Sequence, residues 1–197
     1  MKIIIFGSGG LAKELIGYME GSCEIVCLVS TEPLNNPRYA YQVLEKAPDI
    51  DAHYILAVAD PQIKRKIVAE NEDMWISYIH PTCTVSPYVK VGKGCILAPQ
   101  SILTGDCELG DFVFLNTNAT VGHDTKIGSY TTMFPNTEVC GDCDIGEDCV
   151  FGIGSYVLPK VRLPSGSKAS AGSVVRKSIE HAATLYGDPA QPRLKVA

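Results

Sequence analysis

The sequence predicts a small α/β domain with a parallel sheet, followed by an all-β solenoid of short stacked strands. Three observations predict it. Apolar strand-like runs alternate with helix-like segments in the N-terminal part, a strict period of six takes over from Val85, and a small residue stands two places before each member of that period.

Taken in order, Lys2–Phe6 is a continuous apolar run of strand length, residues 11–19 carry apolar residues at helical spacing, and Glu24–Val29 and residues 53–59 read as two further strands. Asp60 followed by Pro61 is an N-cap and first-turn pair, which opens a helix through residues 63–70. Strand, helix and strand in this rhythm mean a small parallel α/β domain.

Then the period changes. Val85, Val91, Leu97, Leu103, Leu109, Leu115, Val121, Ile127, Met133, Val139, Ile145, Phe151, Val157, Leu163, Ala169 and Val175 recur every six residues, and all but Ala169 are large and apolar. Two places before each comes a residue no larger than valine, such as Ser101, Thr125 or Val161. No helix or twisted sheet has this period, whereas a coil of short flat strands does, with the small residue at a corner that leaves no room. Stacking the coils makes one continuous core.

Five of the eight cysteines, Cys83, Cys95, Cys107, Cys143 and Cys149, occupy the small phase, so they read as small core hydrophobes. The one C-x-x-C, Cys140 to Cys143, has no partner pair at zinc-site spacing. Gly92, Gly110, Gly122, Gly128, Gly146 and Gly152 each follow a large apolar residue, where the turn is expected to need glycine's conformational freedom.

Composition sets outer bounds. A content of 46% hydrophobic and 20% charged residues suits a globular protein, and a formal net charge of -5 lends nothing to nucleic-acid or acidic-membrane binding. Charge is uneven, since Lys160, Arg162, Lys168, Arg176, Lys177, Arg193 and Lys195 face only Glu180 and Asp188 near the C-terminus. This is either a solvated basic end or a landing surface for a polyanion. No apolar run approaches the roughly 20 residues of a membrane span, and the start MKIIIFGSGG lacks a signal-peptide pattern, so a cytoplasmic protein is expected.

The repeat resembles the (L/I/V)-G-x-x-(S/T/A/V/C)-x hexapeptide of the left-handed parallel β-helix transferases, without an inserted loop. The resemblance implies a Rossmann-like α/β domain over residues 1–80, a left-handed β-helix acyltransferase domain over 81–175, and a tail over 176–197. The tail's Tyr186-Gly187-Asp188-Pro189-Ala190 is similar to the family's closing segment, which packs on the last coil. Three hexapeptides form one triangular coil in that family, so stacked positions lie 18 residues apart.

Of the four histidines only His123 lies within the repeat, and at that spacing its stacked neighbours are Gly105 and Gly141. The imidazole would then project from a turn with no side chain above or below it. Asp124 follows it, with Asp106 and Asp142 in the adjacent coils. A carboxylate beside an imidazole raises its basicity and fixes its tautomer, as a general base requires, yet aspartates are also favoured in solvated turns. Spacing leaves both readings open.

The stretch Leu115-Asn-Thr-Asn-Ala-Thr-Val-Gly-His123-Asp124 is similar to the L-N-T-x-x-x-V-x-H-(D/E) segment of the bacterial nucleotide-sugar N-acetyltransferases and their sialic acid O-acetyltransferase relatives. That resemblance implies His123 as catalytic base, Asp124 as its partner, acetyl-CoA as co-substrate with no metal, and a homotrimer with sites between subunits. It also implies acetyl-CoA contacts at Thr132, Ile153 and Ala171, and phosphate contacts from the basic tail.

The segment Gly7-Ser8-Gly9-Gly10-Leu11-Ala12 satisfies G-x-G-x-x-(G/A) between a strand and a helix, a phosphate-cradling arrangement. Val29, Ser30 and Thr31 supply no acid at the end of the second strand, which counts against NAD. In the resembling family this domain holds the nucleotide of a nucleotide-linked sugar, and the matching positions are Gly9, Gly10, Leu11, Val29, Ser30 and Ala59. The paired aspartates of many relatives are missing at the second of these places.

The implied function is acetyl transfer from acetyl-CoA to an amine or hydroxyl of a sugar, such as a nucleotide-linked 4-amino sugar of surface glycan synthesis. Rival readings are a non-catalytic nucleotide-sugar sensor or scaffold, an O-acetyltransferase for free sialic acid or another small acceptor, and a zinc carbonic anhydrase on similar coils. The last needs three histidines, and the coils hold one.

Overall fold

The computed structural model describes residues 1–33, 39–71 and 73–193, with Arg193 described in its backbone only. The chain divides into two compact units, Met1–Ser77 and Tyr78–Ala197. No helix among the described residues is long and apolar enough to cross a membrane.

In the first unit β1 (Lys2–Phe6), α1 (Gly10–Met19), β2 (Glu24–Val29), β3 (Val43–Leu44), β4 (His53–Leu56) and α2 (Pro61–Ala69) follow in order. The strands form one parallel sheet in the order β3-β2-β1-β4. The all-apolar centre of β1 explains its middle place, since Ile3, Ile4 and Ile5 are fully buried. Asp60 caps α2 as its sequence predicts, accepting the Gln62 and Ile63 N–H groups at 2.9 and 3.0 Å. Two details differ from expectation. The two-residue β3 was too short to give a pattern, and β4 ends at Leu56 because the chain leaves the sheet where Ala57 meets Gly7.

The second unit is a triangular β-helix. Among the described residues its strands form three sheets of five, six and eight, the last including two three-residue strands of the tail, and each two-residue coil strand pairs in parallel with the coil strand 18 residues on, as Phe114–Leu115 does with Thr132–Met133. Coiling begins at Tyr78–Ile79, which pairs with Ile96–Leu97, slightly ahead of the expected boundary at residue 81. The large apolar phase fills the interior, with Leu97, Leu115, Met133 and Phe151 all fully buried in one column.

The small phase does more than fit a corner. Several of its hydroxyls and thiols donate to carbonyls one coil on, as Thr125 does to Cys140 (2.7 Å) and Cys95 to Gly110 (3.2 Å). All eight cysteines are free, and burial pushes the thiols of Cys107 and Cys149 up to about 11, which keeps them unreactive.

The expectation for the six glycines needs correcting. None of Gly92, Gly110, Gly122, Gly128, Gly146 and Gly152 has a positive φ. Each is glycine because adjacent coils pass too close for a side chain: a Cβ on Gly128 would lie 2.5 Å from the Glu147 nitrogen, and one on Gly152 2.5 Å from that of Ala171. The left-handed turn residue comes two places later. There the chain uses Asp106, Asn118, Asp124, Asn136, Asp142 and Asp148, which tolerate it, but also Phe112 and Tyr130, whose rings stack at 5.2 Å.

The tail adds Thr184–Tyr186 in parallel to Lys168–Ala169, then turns back through Gln191–Arg193. The Ala190 N–H bonds to the Val174 carbonyl at 2.8 Å, and Arg176 to Asp188 through Nε at 3.1 Å and Nη2 at 2.6 Å. The segment therefore packs on the last coil. Of the basic residues near the C-terminus, Arg162 and Lys168 lie on different sheets and Arg176 is held by Asp188, while Lys195 and the Arg193 side chain are outside the described residues.

Candidate active site

The coil residues 122–124 form a turn that carries His123 outward, with a side chain 63% exposed. Three neighbours, Asp124, Gly105 and Gly141, define its setting. Asp124 lies 2.8 Å away, its Oδ2 against Nδ1. That bond requires the proton on Nδ1, so Nε2 carries the lone pair. Asp124 is itself fixed, because its left-handed φ of 56° is anchored by its N–H to the Gly105 carbonyl at 3.0 Å.

The third neighbour is Gly141. A Cβ built there would lie 2.6, 2.7 and 2.9 Å from Nε2, Cε1 and Cδ2 of His123. The near equality of the three distances means that the imidazole turns its face, not its edge, to this glycine. No side chain stands above or below the ring, as expected, but the two sides differ. On the Gly141 side the ring itself rests on the glycine, while a Cβ on Gly105 would have nothing within 4 Å.

The imidazole pKa is raised, chiefly by the Asp124 hydrogen bond, opposed by desolvation and aided by the charges of Asp124 and Asp142. Ligand atoms of His123, Asp124 and Asp142 lie within 4.8 Å of one another, all exposed. The 18-residue spacing placed both Asp106 and Asp142 in the coils adjacent to Asp124, and did not say which of the two approaches the imidazole. Chemically, the arrangement can take a proton at Nε2 and hold the resulting cation against two carboxylates.

The other expected contacts lie apart from this turn. Ile153 and Ala171 are exposed and stacked, joined by the Gly172 N–H to the Ile153 carbonyl at 2.9 Å. Ile153 follows His123 by one coil and two thirds of another, so it stands at a different corner of the prism. Thr132 is fully buried on the eight-stranded sheet, in one row with the buried Ile96 and Phe114, although the same repeat position is exposed at Lys126 and Tyr156.

In the first unit the remaining residues gather at the carboxyl ends of β1, β2 and β4. The order β3-β2-β1-β4 makes the β1/β4 boundary the switch point, where parallel sheets open a crevice. Gly7, at φ 123°, passes so close to β4 that a Cβ would lie 2.6 Å from the Ala57 carbonyl oxygen. Gly9 and Gly10 are exposed at the start of α1, Leu11 and Ala59 half-buried, and Val29 buried. Ser30 was expected; its partners were not. The Ser8 hydroxyl donates to the Glu32 carbonyl (2.7 Å) and lies 2.9 Å from Ser30 Oγ, which accepts the Glu32 N–H at 3.0 Å.

No protein-family model matches the chain. Among solved structures it is similar to the acetyltransferase domain of PglB from Neisseria gonorrhoeae in complex with acetyl coenzyme A, with 25% identity, TM-score 0.87 and 98% of each chain covered. A second is a variant of perosamine N-acetyltransferase from Caulobacter crescentus, with one histidine replaced by asparagine, in complex with CoA and GDP-perosamine: 24% identity, TM-score 0.90, covering 99% of this chain and 98% of that one. A third is WeeI from Acinetobacter baumannii, at 22% identity and TM-score 0.84, covering 98% and 100%. Over nearly its whole length the chain therefore has the fold of these sugar N-acetyltransferases, with the hexapeptide-repeat, left-handed β-helix as its second unit.

Proposed function

We propose that the protein transfers the acetyl group of acetyl-CoA to a sugar, with His123 as general base and the amine of a nucleotide-linked amino sugar as acceptor. The observation that carries this reading is the His123 turn: Nδ1 is tied to Asp124 at 2.8 Å, which leaves the Nε2 lone pair at a turn open on its Gly105 side. Support for the substrates comes from similar folds that hold acetyl-CoA, and CoA together with GDP-perosamine.

In the proposed reaction Nε2 takes a proton from the neutral amine as its nitrogen attacks the thioester carbonyl. The C–N bond forms, the C–S bond breaks, and the proton passes from His123 to the departing thiolate, so the enzyme ends as it began. Asp124 holds the ring and stabilises the transient imidazolium. Backbone at Ile153 and Ala171 would hold acetyl-CoA, and the β1, β2 and β4 ends with Gly9, Gly10, Leu11, Val29, Ser30 and Ala59 would hold the nucleotide.

Because Ile153 and Ala171 stand at another corner from His123, a site with both needs two copies of the chain, which supports a homotrimer. The six-stranded sheet between those corners offers a contact face, with Thr84, Ile102, Thr120, Glu138, Tyr156 and Val174 outward and so one charge in the row. The five-stranded sheet instead carries the alternating row Lys90, Glu108, Lys126, Asp144 and Arg162, suited to solvent. A cytoplasmic setting belongs to the same proposal and agrees with eight free thiols.

The test is release of free thiol from acetyl-CoA with a panel of 4-amino-sugar nucleotides and free sialic acid. His123→Ala is expected to lower kcat by roughly 10²- to 10⁴-fold. Wild-type turnover in that variant removes His123 from the role. Saturable nucleotide binding without acetyl-CoA affinity would favour a sensor instead.

A further inference from the structure

Fifteen residues occupy the same turn position as His123, at 87 to 171 in steps of six, and among them only Gly105 and Gly141 are glycine. They are the two that flank the histidine, one coil before it and one after. All the others carry side chains, as Lys93, Pro99, Asp111, Thr117, Ser129, Pro135, Glu147 and Ile153 do. A turn at this position therefore accepts lysine, proline, glutamate and isoleucine alike, and the fold makes no general demand for glycine there.

Gly141 has a local reason, since any Cβ would strike the face of the imidazole. Gly105 has none. Its φ is not positive, so no left-handed backbone calls for it, and a Cβ built on it would meet nothing within 4 Å. Glycine also leaves the unfolded chain freer, and so costs stability that a side chain would recover. A glycine that neither backbone strain nor packing requires, directly over the open side of the base, keeps space for something outside the chain.

We propose that Gly105 is a specificity-determining residue, whose missing side chain leaves the space in which the acceptor group lies as it presents its nucleophile to His123. The proposal rests on the reading of His123 as the base. Gly141 closes one face of the ring, so the body of the acceptor comes in from the other, and Nε2 meets the nucleophile in the plane of the ring. A side chain at residue 105 would stand where that body must pass. The acyl donor, contacted at another corner, would not be displaced.

Gly105→Ala and Gly105→Val test this through the KM of each substrate, the melting temperature and the oligomeric mass in solution. The expected result is folded protein of unchanged mass and a KM for acetyl-CoA within about twofold of the original. The kcat/KM for the acceptor should fall in a graded way, a few-fold for alanine and roughly ten- to hundredfold for valine. Unchanged acceptor kinetics in the valine variant would overturn the proposal. So would a raised KM for acetyl-CoA alone, which would give the space to the donor, or loss of the oligomer, which would give it to a second copy of the chain. If the unsubstituted protein releases no thiol with any acceptor, the functional reading itself fails; thiol release indifferent to residue 105 removes only this proposal.

Discussion

Gly141→Ala separates the position of the base from the stability of the fold. The added Cβ would lie 2.6 Å from Nε2, and ordinary contact begins near 3.4 Å, so the ring must move by about 0.8 Å. What it meets is the far end of an exposed side chain rather than backbone, and Gly141 has no positive φ. The fold can therefore accept alanine at little cost. The base cannot, because a misplacement of about 1 Å can lose on the order of 10²-fold in rate. We expect kcat to fall by roughly ten- to hundredfold in the thiol-release assay, with a melting temperature close to that of the unsubstituted protein. Proton NMR of the imidazole gives a readout independent of turnover: the ring, pushed off Asp124, should titrate at a lower pH than in the parent protein. Undiminished kcat together with an unmoved titration would refute the argument that Gly141 holds the imidazole in place.

Two further substitutions extend the reasoning. Asp124→Asn removes the largest cause of the raised His123 pKa. The base works only when neutral, so activity rises with pH through its pKa, and the rising limb of the kcat/KM profile should move to lower pH while the plateau drops; a limb that stays in place contradicts the assigned pair. Gly128→Ala puts a Cβ 2.5 Å from the Glu147 nitrogen and the Gly146 carbonyl carbon, both backbone, so here stability should suffer. A loss of about 1–3 kcal/mol in denaturant unfolding is expected, against little change for Gly141→Ala.

The solenoid was legible in the sequence because its cause is local and repeated. A side chain that must face inward every six residues writes itself into composition, and the period from Val85 to Val175 is matched in register by pairs such as Leu115 with Met133. The parallel α/β unit was legible for a similar reason, since β1 is apolar throughout and Asp60-Pro61 is a capping signal in its own right. The short β3, with two residues, had no period to detect.

What a residue does within that frame was another matter. The glycines after each large apolar residue were expected to serve a turn conformation, and only the distance between successive coils revealed that they serve close approach. The left-handed positions were filled even by Phe112 and Tyr130, which no local rule suggests, because the rings stack across coils. Thr132 looked like a ligand contact by its place in a motif and is buried in mid-strand. The sequence by itself determined the period, the core and the one histidine in the coils. Only the tertiary structure decided that one face of that histidine is covered and the other open, because residues 105, 123 and 141 meet through stacking at a distance of 18 residues, and contact across that separation depends on coil spacing that no run of neighbouring residues encodes.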